Sequence, residues 1–176
     1  MTTTLLILCS LAPIAAIDVL YYHIYRFRLY AQDSSVGEQL THLLRHATIL
    51  AIVALLGSGV RSPWADASLL ALFAFDLINS AADVWLEPRS RAPLGGLPRG
   101  EYFLHFLGIF GTGLATASYL YERTQLPIAA PTGLLAVQVA AMLGIGAILF
   151  MVEAGLFVRA RLAARGGLVW ACCGRV

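Results

Sequence analysis

The sequence predicts an all-α integral membrane protein with five transmembrane helices. Of its 176 residues, 59% are hydrophobic and only 12% are charged, and the mean hydropathy is +0.77. A soluble domain has about a quarter of its residues charged, so this chain would expose too much apolar surface in water. Five of its segments each reach the roughly 20 residues that a helix needs to cross a bilayer. The length fits a single membrane domain over residues 1–176.

Local signals set the expected helix ends. Ser35 and Glu38 have the spacing of a capping box at the start of the second helix. Ser62 followed by Pro63 is a cap with proline at the first helical position, and Pro88 is expected to end the third helix. A loop rich in glycine and proline precedes the fourth helix. The five helices are therefore expected over residues 4–30, 35–57, 63–87, 100–122 and 131–164.

The arginines predict the orientation. All twelve basic residues are arginine, which suggests a GC-rich bacterial genome. Nine of them lie at the end shared by the loop after the first helix, the loop after the third helix and the C-terminus. By the positive-inside rule this end is cytoplasmic, with the N-terminus outside and the C-terminus inside a bacterial inner membrane. A net charge of +2 without a basic run argues against a nucleic-acid partner.

The cysteines and the N-terminus add little chemistry. Cys9, Cys172 and Cys173 have no metal-ligand spacing and are expected to be unreactive thiols. The first segment lacks a basic region before its apolar stretch, so we expect a retained helix and not a cleaved signal.

Most ionisable residues fall in the predicted cytoplasmic half, where they are costly. A charge at mid-bilayer costs roughly 2.5 to 3.5 kcal/mol, so these side chains are expected to face one another and not lipid. Glu38, His42 and His46 are four residues apart, as are Glu101 and His105, so each set lies on one helix face. All four histidines of the chain lie in this half, together with seven acids. The eleven residues are Asp18, His23, Glu38, His42, His46, Asp76, Asp83, Glu87, Glu101, His105 and Glu153.

The chain contains a short internal echo. "DVLYYHIYRFR" from Asp18 resembles "DVWLEPRSR" from Asp83, and a Glu-x-x-x-His motif follows each of them, at Glu38 and at Glu101. The first four helices therefore predict a polar-cored bundle of two helical hairpins, each offering an aspartate, a glutamate and a histidine. A pseudo-twofold axis along the membrane normal would bring the two sets together.

Two such sets suggest a dinuclear metal centre. Mixed oxygen and imidazole ligands suit iron, manganese or zinc. Soluble four-helix carboxylate proteins of the ferritin-like class are similar in ligand types, although their motif is Glu-x-x-His. His23 is a weaker candidate, since five residues from Asp18 is about 140° around an α-helix. The expected ligands are Asp18, Glu38, His42, Asp83, Glu101 and His105, with His46, Asp76, Glu87 and Glu153 as further ligands or as partners of the imidazoles.

The function predicted from this site is a metal-dependent membrane oxidoreductase of the hydroxylase or desaturase type. Its substrate would be a lipid or another hydrophobic molecule in the bilayer, and it would hold two metal ions, with iron favoured over zinc or manganese. Tyr22 could donate a hydrogen bond or carry an electron, and in the zinc hydrolase alternative Glu38 or Glu101 would serve as a general base. Since the chain has no nucleotide-binding loop or haem-attachment motif, it would need an external electron donor. The alternatives are a zinc-dependent membrane hydrolase, a proton or cation transporter, and a structural subunit of a membrane complex.

Overall fold

The chain is built from five long helices. A computed structural model describes residues 2–60, 62–125 and 130–173, with the backbone alone at 125 and 166–173; Arg61, Arg175 and the Cys172 and Cys173 side chains lie outside this description. All regular structure of the described residues is helical, and five helical segments are long and apolar enough to cross a membrane, as predicted. The helices are α1 (Thr2–Ile17), α2 (Val36–Ser58), α3 (Pro63–Arg91), α4 (Arg99–Gln125) and α5 (Gly133–Cys173).

The first helix changes its winding before it ends. It is α-helical to Ile17 and continues as a π-helix over Asp18–Arg26. Arg28 then adopts a left-handed conformation, with φ of 49°, which ends the helix. The prediction of a continuous helix to residue 30 was therefore wrong. In a π-helix the backbone hydrogen bonds join residues five apart, so such residues lie above one another on the same face.

The third helix continues past the proline that was expected to end it. Pro88 lies inside α3, which runs to Arg91. A proline in a helix costs about 3 kcal/mol. The added turn places the Arg91 guanidinium between the carboxylates of Glu38 and Glu101, and losing one partner of such a buried pair costs about 3 to 5 kcal/mol. The stabilisation from the Arg91 ion pairs therefore outweighs the cost of keeping Pro88 inside the helix.

The two predicted caps have different outcomes. The Ser62 hydroxyl accepts a hydrogen bond from the Ala65 N–H at 3.0 Å, as expected. Ser35 precedes α2 but makes no capping hydrogen bond; its hydroxyl accepts one from the Ser90 hydroxyl at 2.7 Å. Because Glu38 turns to Arg91, the capping-box prediction was wrong.

Helix packing separates an apolar half from a polar half. The most extensive contacts join α2 to α3 and α1 to α4, while α5 packs on α2 and α1; the pairs expected as hairpins, α1 with α2 and α3 with α4, touch much less. The buried apolar side chains cluster towards the end that contains the start of α1 and the end of α4, where Glu122 accepts hydrogen bonds from the Thr3 and Thr4 N–H groups. The buried histidines and most of the buried acids lie in the other half.

One glycine lets α1 and α4 approach closely. A β-carbon added at Gly111 of α4 would lie 2.5 Å from Leu11 Cδ2 and 3.0 Å from its Cγ, whereas one at Gly113 would meet nothing within 4 Å. The two positions therefore form a matched pair on the same helix.

We expect Gly111→Ala to lower the free energy of unfolding by about 1 to 3 kcal/mol, because Leu11 must move out of a packed interface. Gly113→Ala should raise it by up to about 1 kcal/mol through helix propensity alone. Denaturation of the purified variants in mixed detergent micelles measures both values. Equal effects at the two positions would contradict this packing.

Candidate metal centre

Three histidines from three helices form the centre of the polar half. His23 comes from the π-helix, His42 from α2 and His105 from α4. The ring centroids are 4.1 Å apart for His23 and His42, 5.6 Å for His42 and His105, and 6.1 Å for His23 and His105. One ring nitrogen of each lies within 4.8 Å of the other two. The rings thus surround a common point at which an ion could bind.

Carboxylates from the first and third helices contact these rings. Asp18 Oδ2 lies 3.0 Å from His105 Nε2, and Asp83 Oδ2 lies 3.2 Å from His42 Nε2. Glu87 contacts the other ring nitrogen of His105, Nδ1. Each aspartate therefore pairs with the histidine that follows the other copy of the internal echo, which agrees with the twofold relation expected from the sequence.

Three groups of side chains have donor atoms close enough to hold an ion. A coordinated zinc ion lies about 2.0 to 2.2 Å from nitrogen or oxygen ligands, so donor atoms within 4.8 Å of one another need only small movements to converge. His105 belongs to all three groups, which makes it the residue that joins them. The groups are His23 with His42 and His105; Asp18 with His23, Glu101 and His105; and Asp83 with Glu87 and His105.

His23 lies at the centre of the cluster, although sequence reasoning ranked it low. The angle of 140° from Asp18 assumed an α-helix, whereas the π-helix places residues five apart on one face. His23 Nε2 is 3.5 Å from Asp18 and 3.6 Å from Glu101. Its side chain is 1% exposed, and neither ring nitrogen makes a hydrogen bond within the described part of the chain. Buried polar atoms of this kind call for a water or an ion.

Arg91 is the second residue that sequence reasoning missed. Its guanidinium is completely buried and donates from Nη1 to Glu38 Oε2 at 2.8 Å, while Nη2 contacts both Glu38 Oε1, at 2.7 Å, and Glu101 Oε1. The echo aligns Arg91 with Arg26, which is exposed. Glu38, a predicted ligand, is held by Arg91 and lies outside the three donor groups.

Two further predicted ligands pair elsewhere. His46 Nδ1 lies 3.3 Å from Glu153 Oε2, and Asp76 Oδ1 lies 3.6 Å from Arg45 Nε. Neither His46 nor Asp76 belongs to a donor group of the described residues. Glu153 also accepts a hydrogen bond from Gln39 at 2.6 Å, and its Oε1 lies 3.9 Å from His23 Nδ1. His46 and Glu153 therefore flank the cluster.

Tyr22, the predicted redox or hydrogen-bonding residue, belongs to an aromatic group beside the start of α4. Its hydroxyl packs where a β-carbon of Gly100 would be. Its ring lies 6.4 Å from the Phe27 ring, edge-on to Tyr21 at 4.9 Å, and 5.8 Å from the Arg26 guanidinium carbon. These contacts place it beside the cluster and not among the donor groups.

The cluster carries an excess of negative charge. With neutral imidazoles, six buried carboxylates in the cluster and on its flank face one guanidinium among the described side chains, that of Arg91, and five negative charges remain uncompensated. Protonating the histidines instead would put three cationic rings 4.1 to 6.1 Å apart, where they repel each other. Buried charge without a counterion is strongly unfavourable. The six carboxylates are those of Asp18, Glu38, Asp83, Glu87, Glu101 and Glu153.

A cavity of about 510 Å³ adjoins the cluster. Asp18, His42 and His105 lie at its inner end, Arg45 and His46 lie on its wall, and the rest of the lining is mainly apolar and comes from α1, α2, α4 and α5. Two donor-group imidazoles are thus within reach of a molecule bound in the cavity.

Comparisons of the chain with protein-family models, with curated proteins and with solved structures gave no match.

We expect Arg91→Ala to lower the free energy of unfolding of metal-free protein by about 3 to 5 kcal/mol, because Glu38 and Glu101 would remain buried without their guanidinium. The adjacent exposed arginine provides the control: Arg89→Ala should change it by less than about 0.5 kcal/mol. Both values come from denaturation in mixed micelles after treatment with a chelator. Equal stability of the two variants would show that Arg91 does not neutralise this pair.

Proposed function

We propose that the protein is a metal-dependent enzyme of a bacterial cytoplasmic membrane that oxidises a hydrophobic substrate at a dinuclear carboxylate and histidine centre. The observation that carries this proposal is the group of six buried carboxylates with only one guanidinium to neutralise them. Two divalent cations would reduce the five remaining negative charges to one while the imidazoles stay neutral, as metal ligands must be.

The donor groups offer residues for two ions on the two sides of the His105 ring, which would ligate only one of them, because a neutral imidazole has a single ring nitrogen free to coordinate. His105 Nε2 faces Asp18, which lies with His23 and Glu101, and its Nδ1 faces Glu87, which lies with Asp83. His42 contacts Asp83 and completes the second side. The unpartnered ring nitrogens of His23 and the unbonded Asp18 Oδ1 support ion binding on the first side.

The donor set and the cavity favour oxidation. Carboxylate oxygens and imidazole nitrogens without thiolates suit iron, manganese or zinc, and the richness in carboxylates resembles di-iron proteins in ligand types. Iron at this position would supply activation of dioxygen, with electrons from an external donor. The mainly apolar cavity can hold a hydrocarbon chain, whose C–H bonds beside the donor groups suit this oxidation; a ligand with an ester carbonyl at the same place would instead suit the hydrolase alternative. The residues of this chain would bind the substrate, exclude water and orient the ligands.

The arginines and the polar half support one membrane orientation. In the proposed topology the turn after the first helix is cytoplasmic and the α2–α3 connection is outside. Both Ala31 and Val60, which lie in these connections, are exposed.

We expect Val60→Cys, in a background without other cysteines, to react with an impermeant maleimide on intact bacterial spheroplasts. Ala31→Cys should react only after lysis, because its turn lies on the cytoplasmic side. Mass spectrometry of the labelled protein measures both. Labelling of Ala31→Cys on intact spheroplasts, with Val60→Cys protected, would reverse the orientation.

Purified wild-type protein is expected to contain two equivalents of iron, measured by elemental analysis. His105→Ala should weaken metal binding by at least about tenfold, because this imidazole belongs to every donor group. His46→Ala is the matched control. It removes a histidine of the polar half that lies outside the donor groups, and this variant should keep the wild-type metal content.

The other outcomes of this experiment contradict the proposal in different ways. Zinc in place of iron would select the hydrolase. Wild-type protein without metal, isolated under conditions that preserve labile ions, would leave a structural polar network or a proton pathway, and proton flux in liposomes separates those two. Equal metal loss in the His46 and His105 variants would show that the three donor groups are not the metal-binding site.

A further inference from the structure

The cavity beside the cluster has the form of a binding site for a single hydrocarbon chain. Residues 8–16 of α1 border it continuously, a length of about 12 Å along the helix. Its volume of about 510 Å³ lies within the range of about 300 to 1,000 Å³ typical of ligand pockets. A long, mainly apolar cavity of this size suits one unbranched chain.

The cavity can be reached from the apolar surface of the helices. Ile145 of α5 belongs to its lining and is 60% exposed, so it lies at the rim. The neighbouring exposed positions of this helix, such as Ile148 and Met151, are apolar and are expected to face lipid. A ligand dissolved in the bilayer could therefore enter sideways, without crossing water.

The polar groups are confined to one part of the cavity and suit an oxygen-bearing head group. Asp18, His42 and His105 form the inner end, and Arg45 is one helical turn from His42 on the same wall. Arg45 uses Nε on Asp76 at 3.6 Å and Nη2 on Thr112 at 3.5 Å. No hydrogen bond joins its Nη1 to another described residue, so this group can donate to a carbonyl or carboxylate oxygen.

We propose that the cavity binds a single-chain lipid with a carboxylate or carbonyl head group, which enters from the bilayer beside α5 and places its head between Arg45 and the His42–His105 pair. The identification of this ligand as the substrate rests on the proposed function. The carbons nearest the head lie beside the donor-group imidazoles, so the reaction is expected at the head-group end of the chain. The tail extends along α1 towards Leu8.

Two adjacent alanines of α5 provide the test. Ala140 and Ala141 are both exposed, but only Ala141 lines the cavity. The probe is dodecanoic acid with a photoreactive diazirine on its chain, added to the full-length protein in phosphatidylcholine vesicles. Cross-linked residues are identified by mass spectrometry, and metal content is measured on the same samples.

The expected result is saturable labelling of α1 residues 8–16 and of the cavity side of α5, displaced by unlabelled dodecanoic acid. Ala141→Phe should reduce it by at least about tenfold, equivalent to 1.4 kcal/mol, while Ala140→Phe leaves it unchanged. Unsaturable labelling spread over the outer helix surfaces, or equal labelling of the two variants, overturns the inference. If labelling fails in protein that contains its metal, the ligand proposal alone fails; if labelling succeeds in protein that never binds metal, the proposed enzyme fails and the lipid site remains.

The head-group preference has a separate readout. In protein that contains its metal, where the excess negative charge of the cluster is offset, dodecanoic acid should compete with the probe at least about tenfold better than dodecyltrimethylammonium, a difference of 1.4 kcal/mol, because the cation cannot accept from Arg45. The double variant Arg45→Gln with Asp76→Asn removes the guanidinium without leaving its partner charged, and it should abolish this preference. Equal competition by the two amphiphiles in wild-type protein would show that Arg45 does not recognise the head group.

Discussion

The polar half of the structure depends on how the negative charges of its buried carboxylates are compensated. Arg91, whose side chain is completely buried between Glu38 and Glu101, offsets one of their two negative charges. This ion pair explains why α3 continues through Pro88, since ending the helix there would withdraw the guanidinium. Asp76 pairs with Arg45, and the other buried acids of the polar half contact imidazoles, which compensate charge only when protonated. Three rings that nearly touch cannot all be protonated at low cost, and this constraint is the basis of the proposed metal binding.

Features that follow from the hydrophobicity and spacing of neighbouring residues were predictable from the sequence. Features that depend on contacts between distant parts of the chain were not. The lengths of the apolar segments predicted the five long helices, and the Ser62-Pro63 signal predicted the start of α3 correctly. Four-residue spacing placed Glu101 and His105 in one donor group, but it did not do so for Glu38 and His42, because Glu38 contacts Arg91. The π-helix that brings His23 onto the face of Asp18, and the turn beyond Pro88 that buries Arg91, both oppose local preference. Their stabilisation comes from partners far along the chain, which residue spacing does not reveal.

The internal echo helps to explain the asymmetry of the centre. Both copies contribute an aspartate that contacts the histidine following the other copy. Five positions after the aspartate, the first copy has His23 and the second has Pro88. Eight positions after it both copies have an arginine, but Arg26 is exposed and Arg91 is buried. One half thus adds an imidazole and the other adds a fixed cation. A guanidinium is a permanent counterion that cannot ligate a metal, so Glu38 has its counterion within the protein and the proposed metal positions fall to the remaining donors.

The change from α- to π-helix connects the cavity to the donor groups. The α-helical part of the first helix borders the apolar cavity up to Ala16, and the π-helix begins at Asp18, where the cavity reaches the cluster. The wider winding brings Asp18 and His23 onto one face. Along the first helix, the side chains beside the cavity therefore change from apolar to metal-donor types within one turn. If the cavity were only a packing defect, it would have no reason to end on Asp18, His42 and His105, which are costly residues in a membrane. Its inner end is instead formed by side chains of the donor groups, as the proposed binding of a chain with one end at a metal requires.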